Sequence, residues 1–276
     1  MGYYQNIDTS KEILFHGSKE GIVGEISPDK SVSSTDFGNG FYLGTKELQT
    51  LSRVTNESAP YAYEFKIPDT YINENNTITL SVNDWVYFVL YNRGKLEDMK
   101  GTDFYDKYAH LSDGKDFIIG PIADDVYGKC IDDFCDGRIT DWTFRQLIDC
   151  FDYGIQIVAK SQRACDCLEL VSERAMSKDE RKSIIDRRKM SKKERFQYYN
   201  DKVAELNKER RGEYLSEIKE KIIALEAGKL VEKATKMNDH SLDFIENSTV
   251  KLHEFQNIKF PDKIHERKDI EHGIFR

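Results

Sequence analysis

The stretch that decides the fold is residues 36–45, which read Asp36-Phe37-Gly38-Asn39-Gly40-Phe41-Tyr42-Leu43-Gly44-Thr45. This stretch is a glycine turn that runs directly into a short apolar strand carrying a tyrosine. Upstream of it, another short apolar strand ends in Leu14-Phe15-His16-Gly17-Ser18. Together the two stretches predict an imidazole and a phenol on two early strands, each beside glycines that let a ligand approach the backbone closely.

Short strands and helices alternate through the first 176 residues. Strands are expected at 13–16, 40–43, 61–67, 116–119 and 154–159, and helices at 46–54, 83–92, 140–149 and 162–170. Mixed, short and irregular elements of this kind are typical of an α+β domain with a split sheet.

From residue 177 onward the sequence changes to charged helix formers. Two capping boxes, Ser177 to Glu180 and Ser191 to Glu194, each predict the start of a helix. Residues 1–177 carry 17 Lys+Arg and 29 Asp+Glu, whereas residues 178–236 carry 18 and 12. We therefore expect one domain at 1–176 and a charged helical C-terminal region at 177–276.

The composition disfavours several classes of protein. The five cysteines have no CxxC spacing and no histidine at zinc-finger distance, which argues against a metal site and indicates a reducing compartment. No apolar run approaches the ~18 residues of a membrane span, and the amino terminus lacks signal-peptide features. Dinucleotide-fold, Walker A and Gly-x-Ser-x-Gly motifs are absent. We expect a cytoplasmic protein that binds no membrane and no metal.

The two early stretches resemble the first two signature motifs of the ADP-ribosyltransferase superfamily, in its His-Tyr-Glu branch. There an aromatic-His-Gly-Ser/Thr motif is followed by Gly-x-Gly-x-Tyr on the next core strand. The resemblance implies an α+β fold with an ADP-ribosyltransferase-like split β-sheet core and a C-terminal helical appendage. It also implies that NAD is the substrate, that His16 orients its ribose, and that Tyr42 stacks on its nicotinamide. The cofactor-binding residues implied are His16, Gly17, Ser18, Gly40, Tyr42 and Arg93, although Arg93 also suits a capping or salt-bridge role.

The third motif of the superfamily, a Glu on a later core strand, is matched imperfectly. The best candidate strand reads Tyr153-Gly154-Ile155-Gln156-Ile157-Val158, similar to the pattern Tyr-Asn-Glu-Tyr-Ile-Val, with Gln156 where Glu is expected. An amide oxygen accepts a hydrogen bond from a ribose hydroxyl but cannot serve as a general base. Asp124 and Asp125, on a loop after a strand, offer the missing carboxylate instead. The expected catalytic residues are His16, Tyr42, Gln156 and Asp125.

The order of these motifs over residues 10–170 resembles one bacterial family of little-characterised ADP-ribosyltransferase-like proteins, thought to be toxin or phage-defence components. The leading hypothesis is an NAD-dependent mono-ADP-ribosyltransferase. Its acceptor is a macromolecule, and protein is favoured over nucleic acid because the acidic domain repels phosphates. The alternatives are a catalytically inactive NAD or ADP-ribose-binding module and a nucleic-acid-binding protein led by the basic tail. Three roles stay open for that tail, residues 178–236: a solvated helical surface, a cover over the active-site cleft, or a docking site for a neutralising partner protein.

Overall fold

The computed structural model describes residues 12–30, 35–123, 126–151 and 154–236, and within them the fold is α+β, as expected. The strands are β1 (Leu14–Ser18), β2 (Phe41–Gly44), β3 (Tyr61–Lys66), β4 (Thr77–Thr79), β5 (Phe117–Pro121), β6 (Ile155–Ala159) and β7 (Glu169–Ala175). The α-helices are α1 (Glu47–Leu51), α2 (Val82–Asn92), α3 (Asp103–Ala109), α4 (Val126–Cys135), α5 (Asp141–Ile148), α6 (Gln162–Asp166), α7 (Lys178–Leu206) and α8 (Leu215–Lys236).

The strands form one seven-stranded mixed sheet in the order β4-β5-β6-β2-β1-β3-β7. Only the β4–β5 pair is parallel among these strands, and all other neighbours are antiparallel. Strand β1 pairs with β3 along its whole length, but it meets β2 at a single register pair, Phe15 with Gly44. The sheet therefore consists of two ladders, β4-β5-β6-β2 and β1-β3-β7, that touch at one point.

The two faces of the sheet are buried by different layers. The main core lies on one face, where alternating strand residues point inward, among them Leu14, Phe41, Leu43, Phe65, Phe117, Ile155 and Ile157. The other face packs against α1 and the start of α7 through Leu51, Val54, Ala62, Met176 and Ile184. Each fully buried Leu, Ile or Phe side chain contributes about 1.5–3 kcal/mol to the free energy of folding relative to an exposed one. The period-2 alternation of the strands thus builds a core on both sides of the sheet.

Of the two predicted capping boxes, the one at Ser177 starts a helix, and Thr140 makes the same kind of cap without having been predicted. Thr140 and Ser177 each accept a hydrogen bond from the backbone N–H three residues later, at the starts of α5 and α7. The helix expected to begin at Ser191 is wrong, because α7 runs without interruption from Lys178 to Leu206. A capping box starts a helix only where the preceding residues leave the helical conformation, and the residues before 191 are themselves good helix formers.

Strand β7 was not expected from the sequence. The helix predicted over 162–170 ends at Asp166, and Glu169–Ala175 pairs with β3 as an edge strand of the sheet. Leu170 and Val171 are both about half exposed, so this strand lacks the alternation between apolar and polar residues that marks a half-buried strand. Its pairing with β3 is what makes it a strand.

Helix α7 packs closely against residues that precede it in the chain. The Tyr199 hydroxyl donates to Asp133 Oδ2 at 2.7 Å, and Arg181 Nη1 donates to the carbonyl of Glu57 at 2.7 Å. Among the described residues, backbone contacts group those up to Lys219 into one compact unit and residues 220–236 into a second. The expected boundary between residues 176 and 177 stays a prediction. In the described residues, no helix is long and apolar enough to cross a membrane.

Candidate functional site

His16 lies near the middle of β1 and its imidazole bridges to β2. Its Nδ1 is 2.8 Å from the carbonyl oxygen of Tyr42. The ring stacks on Phe41 with centroids 4.2 Å apart, and it makes a tilted contact with Tyr63 at 6.2 Å. Burial lowers the pKa of His16 below its ordinary value, and the hydrogen bond to Tyr42 opposes that shift only in part. The side chain is therefore neutral at pH 7.

The hydrogen bond to Tyr42 also defines which nitrogen of His16 carries the hydrogen. A carbonyl oxygen can only accept, so Nδ1 must be the donor and Nε2 holds a lone pair. Among the residues that the structure describes, no side chain or backbone group bonds Nε2. The imidazole can therefore accept a hydrogen bond from a ligand hydroxyl, which is the interaction that a sugar offers.

Gly17 and Ser18 follow His16 and are occupied by contacts within the fold. A Cβ on Gly17 would lie 2.8 Å from Val54 Cγ2, so this glycine is required for packing beside α1. The Ser18 hydroxyl donates to the carbonyl of Gly21 at 2.9 Å. The backbone of β1 is thus held between α1 on one face and the segment after β1 on the other.

Tyr42 uses its hydroxyl to hold the glycine turn that precedes β2. The hydroxyl donates to the carbonyl of Gly38 at 2.7 Å and accepts from the backbone N–H of Phe37 at 3.0 Å. Burial raises the pKa of this hydroxyl to about 12. A Cβ on Gly40 would overlap Val158 Cγ1 and the carbonyl of Ala159, so only glycine fits at this close approach of two strands.

Two cations hold the same turn from other elements. Lys160 Nζ donates to the carbonyls of Phe37, at 2.8 Å, and Asn39, and burial lowers the pKa of Lys160 to about 8. Arg93, at the end of α2, donates from Nε and Nη2 to Asp36 Oδ1 at 2.9 and 2.7 Å. The Arg93 guanidinium is therefore already paired with a carboxylate, in the salt-bridge role that the sequence offered as the alternative to cofactor binding.

Gln156 is buried in the middle of β6, with 5% of its surface exposed. Its Nε2 donates to the carbonyl of Pro121 at 3.1 Å, and the same carbonyl accepts from Trp85 Nε1 at 2.9 Å. In the described part of the chain, this is the one hydrogen bond found for the Gln156 side chain. The amide thus ties β6 to the end of β5.

The strand register separates His16 from Gln156. Cross-strand partners project from the same face of a sheet, and Phe15 pairs with Gly44, which pairs with Gln156. Because neighbouring residues of a strand alternate in direction, His16 projects from the opposite face. Tyr42, two residues before Gly44, shares the face of Gln156. The structure thus brings His16 together with Phe41 and Tyr63, and not with the side chains of Tyr42 and Gln156.

Read letter by letter, the pattern Tyr-Asn-Glu-Tyr-Ile-Val places its Glu at Ile155 and not at Gln156. Ile155 is fully buried in the main core, on the face that carries His16. Neither residue brings a carboxylate to His16. Asp124 and Asp125 lie outside the described residues, so the alternative carboxylate stays a prediction.

Comparison with models of protein families identifies the family of this chain. Residues 12–170, more than half of the chain, match the model of a protein family of unknown function, DUF3990. The chain belongs to the DUF3990 family. No curated protein and no solved structure matches it. The family match spans β1 to the start of β7, and so it includes His16, the glycine turn and Gln156.

The DUF3990 region contains site residues that sequence reasoning missed. Lys160 lies far from the glycine turn in sequence, and only the β2–β6 pairing brings its amine to the turn. Tyr63 and Phe41 were expected as strand residues, but their contact with His16 depends on the register of three strands. The period-2 pattern of 61–67 could have indicated which face Tyr63 occupies, but not its neighbour. In the described ranges, no group of three or more His, Cys, Asp or Glu side chains is arranged to hold a metal ion.

Proposed function

We propose that this DUF3990 protein binds NAD and transfers the ADP-ribose group to a macromolecule. The observation that carries the proposal is the state of His16, a neutral imidazole whose Nδ1 is committed to the Tyr42 carbonyl and whose Nε2 is an acceptor. An acceptor fixed in this way suits a ribose hydroxyl. The resemblance of the motifs around His16 and Tyr42 to those of ADP-ribosyltransferases supports the same ligand.

The proposed reaction makes modest demands on the protein. The bond between nicotinamide and C1′ of the ribose breaks with its electron pair leaving on nicotinamide, through an oxocarbenium-like transition state of the kind found in glycoside hydrolysis. A nucleophile of the acceptor then bonds to C1′ and releases its proton. His16 would hold a ribose hydroxyl, and the backbone beside Gly17 would meet the nicotinamide carboxamide. Holding the ribose in place lowers the entropy cost of reaching the transition state.

The junction of β1 and β2 supports a ligand at this place. Beyond the single pair of Phe15 with Gly44, the imidazole of His16 takes the Tyr42 carbonyl that a continued ladder would have used. The two ladders therefore part beside His16. This arrangement is compatible with the split sheet that the resemblance implies, and it leaves backbone groups of β1 available to a ligand.

A binding measurement tests the proposal. We expect calorimetry to detect NAD binding, and His16→Ala to weaken it about fivefold or more, the loss of one hydrogen bond of about 1 kcal/mol. His110→Ala is the matched control, because the His110 side chain is 72% exposed and bonds only Asp113 in the described residues. Equal NAD affinity of the parent and His16→Ala would contradict the proposal.

A second function, NAD or ADP-ribose binding without transfer, is favoured by one observation. Gln156 donates its amide to Pro121 on the face opposite His16, so the described residues supply no carboxylate at the position of the third motif. Incubation with labelled NAD separates the two functions. Transfer of label to a macromolecule supports the transferase, whereas saturable binding without transfer supports the binding module.

The proposed acceptor is a protein, because residues 1–177 are strongly acidic and repel phosphates. A toxin or phage-defence role and a neutralising partner protein belong to the same proposal. Mass spectrometry of host macromolecules after expression tests the acceptor directly. Label found on RNA or DNA, and not on protein, would contradict this choice.

A further inference from the structure

The segment of residues 19–30, which follows β1, lies over the face of the sheet that carries His16. Ile22 and Ile26 pack against the main core on this face. Gln162 of α6 donates from Nε2 to the carbonyl of Ile26 at 2.8 Å and holds the far end of the segment. The near end is held at Ile22. We call this stretch the 19–30 segment.

The hydroxyl of Tyr63 holds the segment at Ile22, and this hydroxyl has two hydrogen-bond partners. Tyr63 Oη accepts from the backbone N–H of Ile22 at 2.8 Å and donates to Glu173 Oε1 at 3.1 Å. A hydroxyl has one hydrogen, so giving it to Glu173 turns a lone pair of Tyr63 toward Ile22. The ring of Tyr63 is buried, with 2% of its surface exposed, so its hydroxyl has little freedom to find other partners.

The side chains of His16, Tyr63 and Glu173 lie in one row across three strands. His16 pairs with Tyr63 in the β1–β3 ladder, and Tyr63 pairs with Glu173 in the β3–β7 ladder. Paired residues share a face, so the imidazole, the phenol and the carboxylate project from the same side of the sheet. The position at which the 19–30 segment is held is thus directly beside His16.

We propose that Tyr63 and Glu173 are positioning residues, which hold the 19–30 segment against the His16 face so that it encloses a ligand bound at His16. The naming of NAD as that ligand rests on the function proposed above. Gly21, next to Ile22, has a φ of +94°, a backbone conformation that residues with a side chain rarely adopt. A Cβ there would lie 3.4 Å from Tyr63 Oη, an ordinary contact distance, so the backbone conformation is what favours glycine. Neither Tyr63 nor Glu173 contacts the reacting atoms in this proposal.

Hydrogen exchange of the Ile22 amide tests the hold without any ligand. Tyr63→Phe keeps the ring and removes the hydroxyl, and we expect exchange at Ile22 to become about fivefold faster, the loss of one ordinary hydrogen bond. Tyr61→Phe is the matched control, because this ring stacks on Tyr63 and its hydroxyl has no hydrogen bond within the described residues. Equal exchange in the parent and Tyr63→Phe, or equal acceleration by both substitutions, would overturn the proposal.

Two substitutions at Glu173 separate its role from general destabilisation. Glu173→Gln keeps an oxygen that accepts from Tyr63, and we expect parental exchange at Ile22. Glu173→Ala removes the acceptor, and exchange should rise toward the Tyr63→Phe rate. Exchange that is unchanged in Glu173→Ala, with thermal unfolding also unchanged, would show that Tyr63 holds the segment alone and would remove Glu173 from the proposal.

Binding of NAD completes the test. We expect Tyr63→Phe to raise the Kd for NAD about fivefold and Tyr61→Phe to leave it unchanged. Faster exchange at Ile22 with an unchanged Kd would overturn the link to the ligand. If the parent protein binds no NAD, the function proposed above fails, whereas the exchange experiment still decides whether Tyr63 and Glu173 hold the segment.

Discussion

Replacing Gln156 by Glu is the sharpest test of how this side chain is placed. In the structure its Nε2 donates to the Pro121 carbonyl, which Trp85 Nε1 also contacts. Glu has no such donor when ionised, so two acceptors would face each other in a buried site. The structure therefore predicts a loss of stability. The sequence-based assignment of Gln156 to the third motif predicts instead a gain of NAD hydrolysis, since a restored carboxylate would stabilise the oxocarbenium.

The size of the loss follows from burial. Residue 156 is 5% exposed, and burial of a carboxyl without a charge partner raises its pKa. Each unit of that rise is worth about 1.4 kcal/mol, so a rise of two units costs about 2.7 kcal/mol at pH 7. A group whose folded pKa is raised contributes stability at low pH that is lost as pH rises from its unfolded value, about 4.3 for Glu, through the folded value. We expect Gln156→Glu to be close to the parent in stability at pH 4 and clearly weaker at pH 7.

Urea unfolding of the parent and the variant at pH 4, 5.5 and 7 measures this difference. Gln146→Glu is the matched control, because residue 146 is exposed on α5 and its new charge remains in water. A Gln156→Glu protein as stable as the parent at every pH would refute the placement of this side chain. Faster NAD hydrolysis by the variant would show that residue 156 reaches the ligand, contrary to the strand register.

Four further predictions concern the candidate site. Tyr42→Phe leaves the backbone N–H of Phe37 without its partner, and we expect a loss of about 1–3 kcal/mol in the free energy of unfolding, measured by urea titration. His16 has a lowered pKa, so its contribution to stability falls as pH decreases below its unfolded value of 6.5, by at most about 1.4 kcal/mol per pH unit; His16→Gln should remove that slope in the same titration. Expression of the parent in bacteria should slow growth if it is an active transferase, and a folded His16→Ala protein should restore it; equal arrest by both would point to another activity. If Asp125 supplies the missing carboxylate, Asp125→Asn should abolish transfer of labelled NAD while Gln156→Ala retains it.

Local pattern was enough to find most of the sheet and several helices. The short apolar runs around His16 and Tyr42 predicted β1 and β2, and the alternation over 61–67 predicted β3. Ser177 with Glu180 predicted the start of α7. These signals are local, because alternation and capping depend on residues that are neighbours in the chain. The same reasoning failed at Ser191, where a capping box lies inside a continuous helix. It also missed β7, whose residues become a strand only through pairing with β3.

The sequence by itself determined the α+β class, the positions of the two glycine-bearing strands, and the candidate role of His16. Only the tertiary structure decided which side chains share a face. The pairing of Phe15 with Gly44, and of Gly44 with Gln156, puts His16 and Gln156 on opposite sides of the sheet. A shift of one residue in either pairing would reverse that result, because side chains alternate with a period of two. Register depends on contacts between strands that are distant in the chain. The sequence could therefore identify His16 and Gln156 as candidate residues, but it could not show whether their side chains share a face of the sheet.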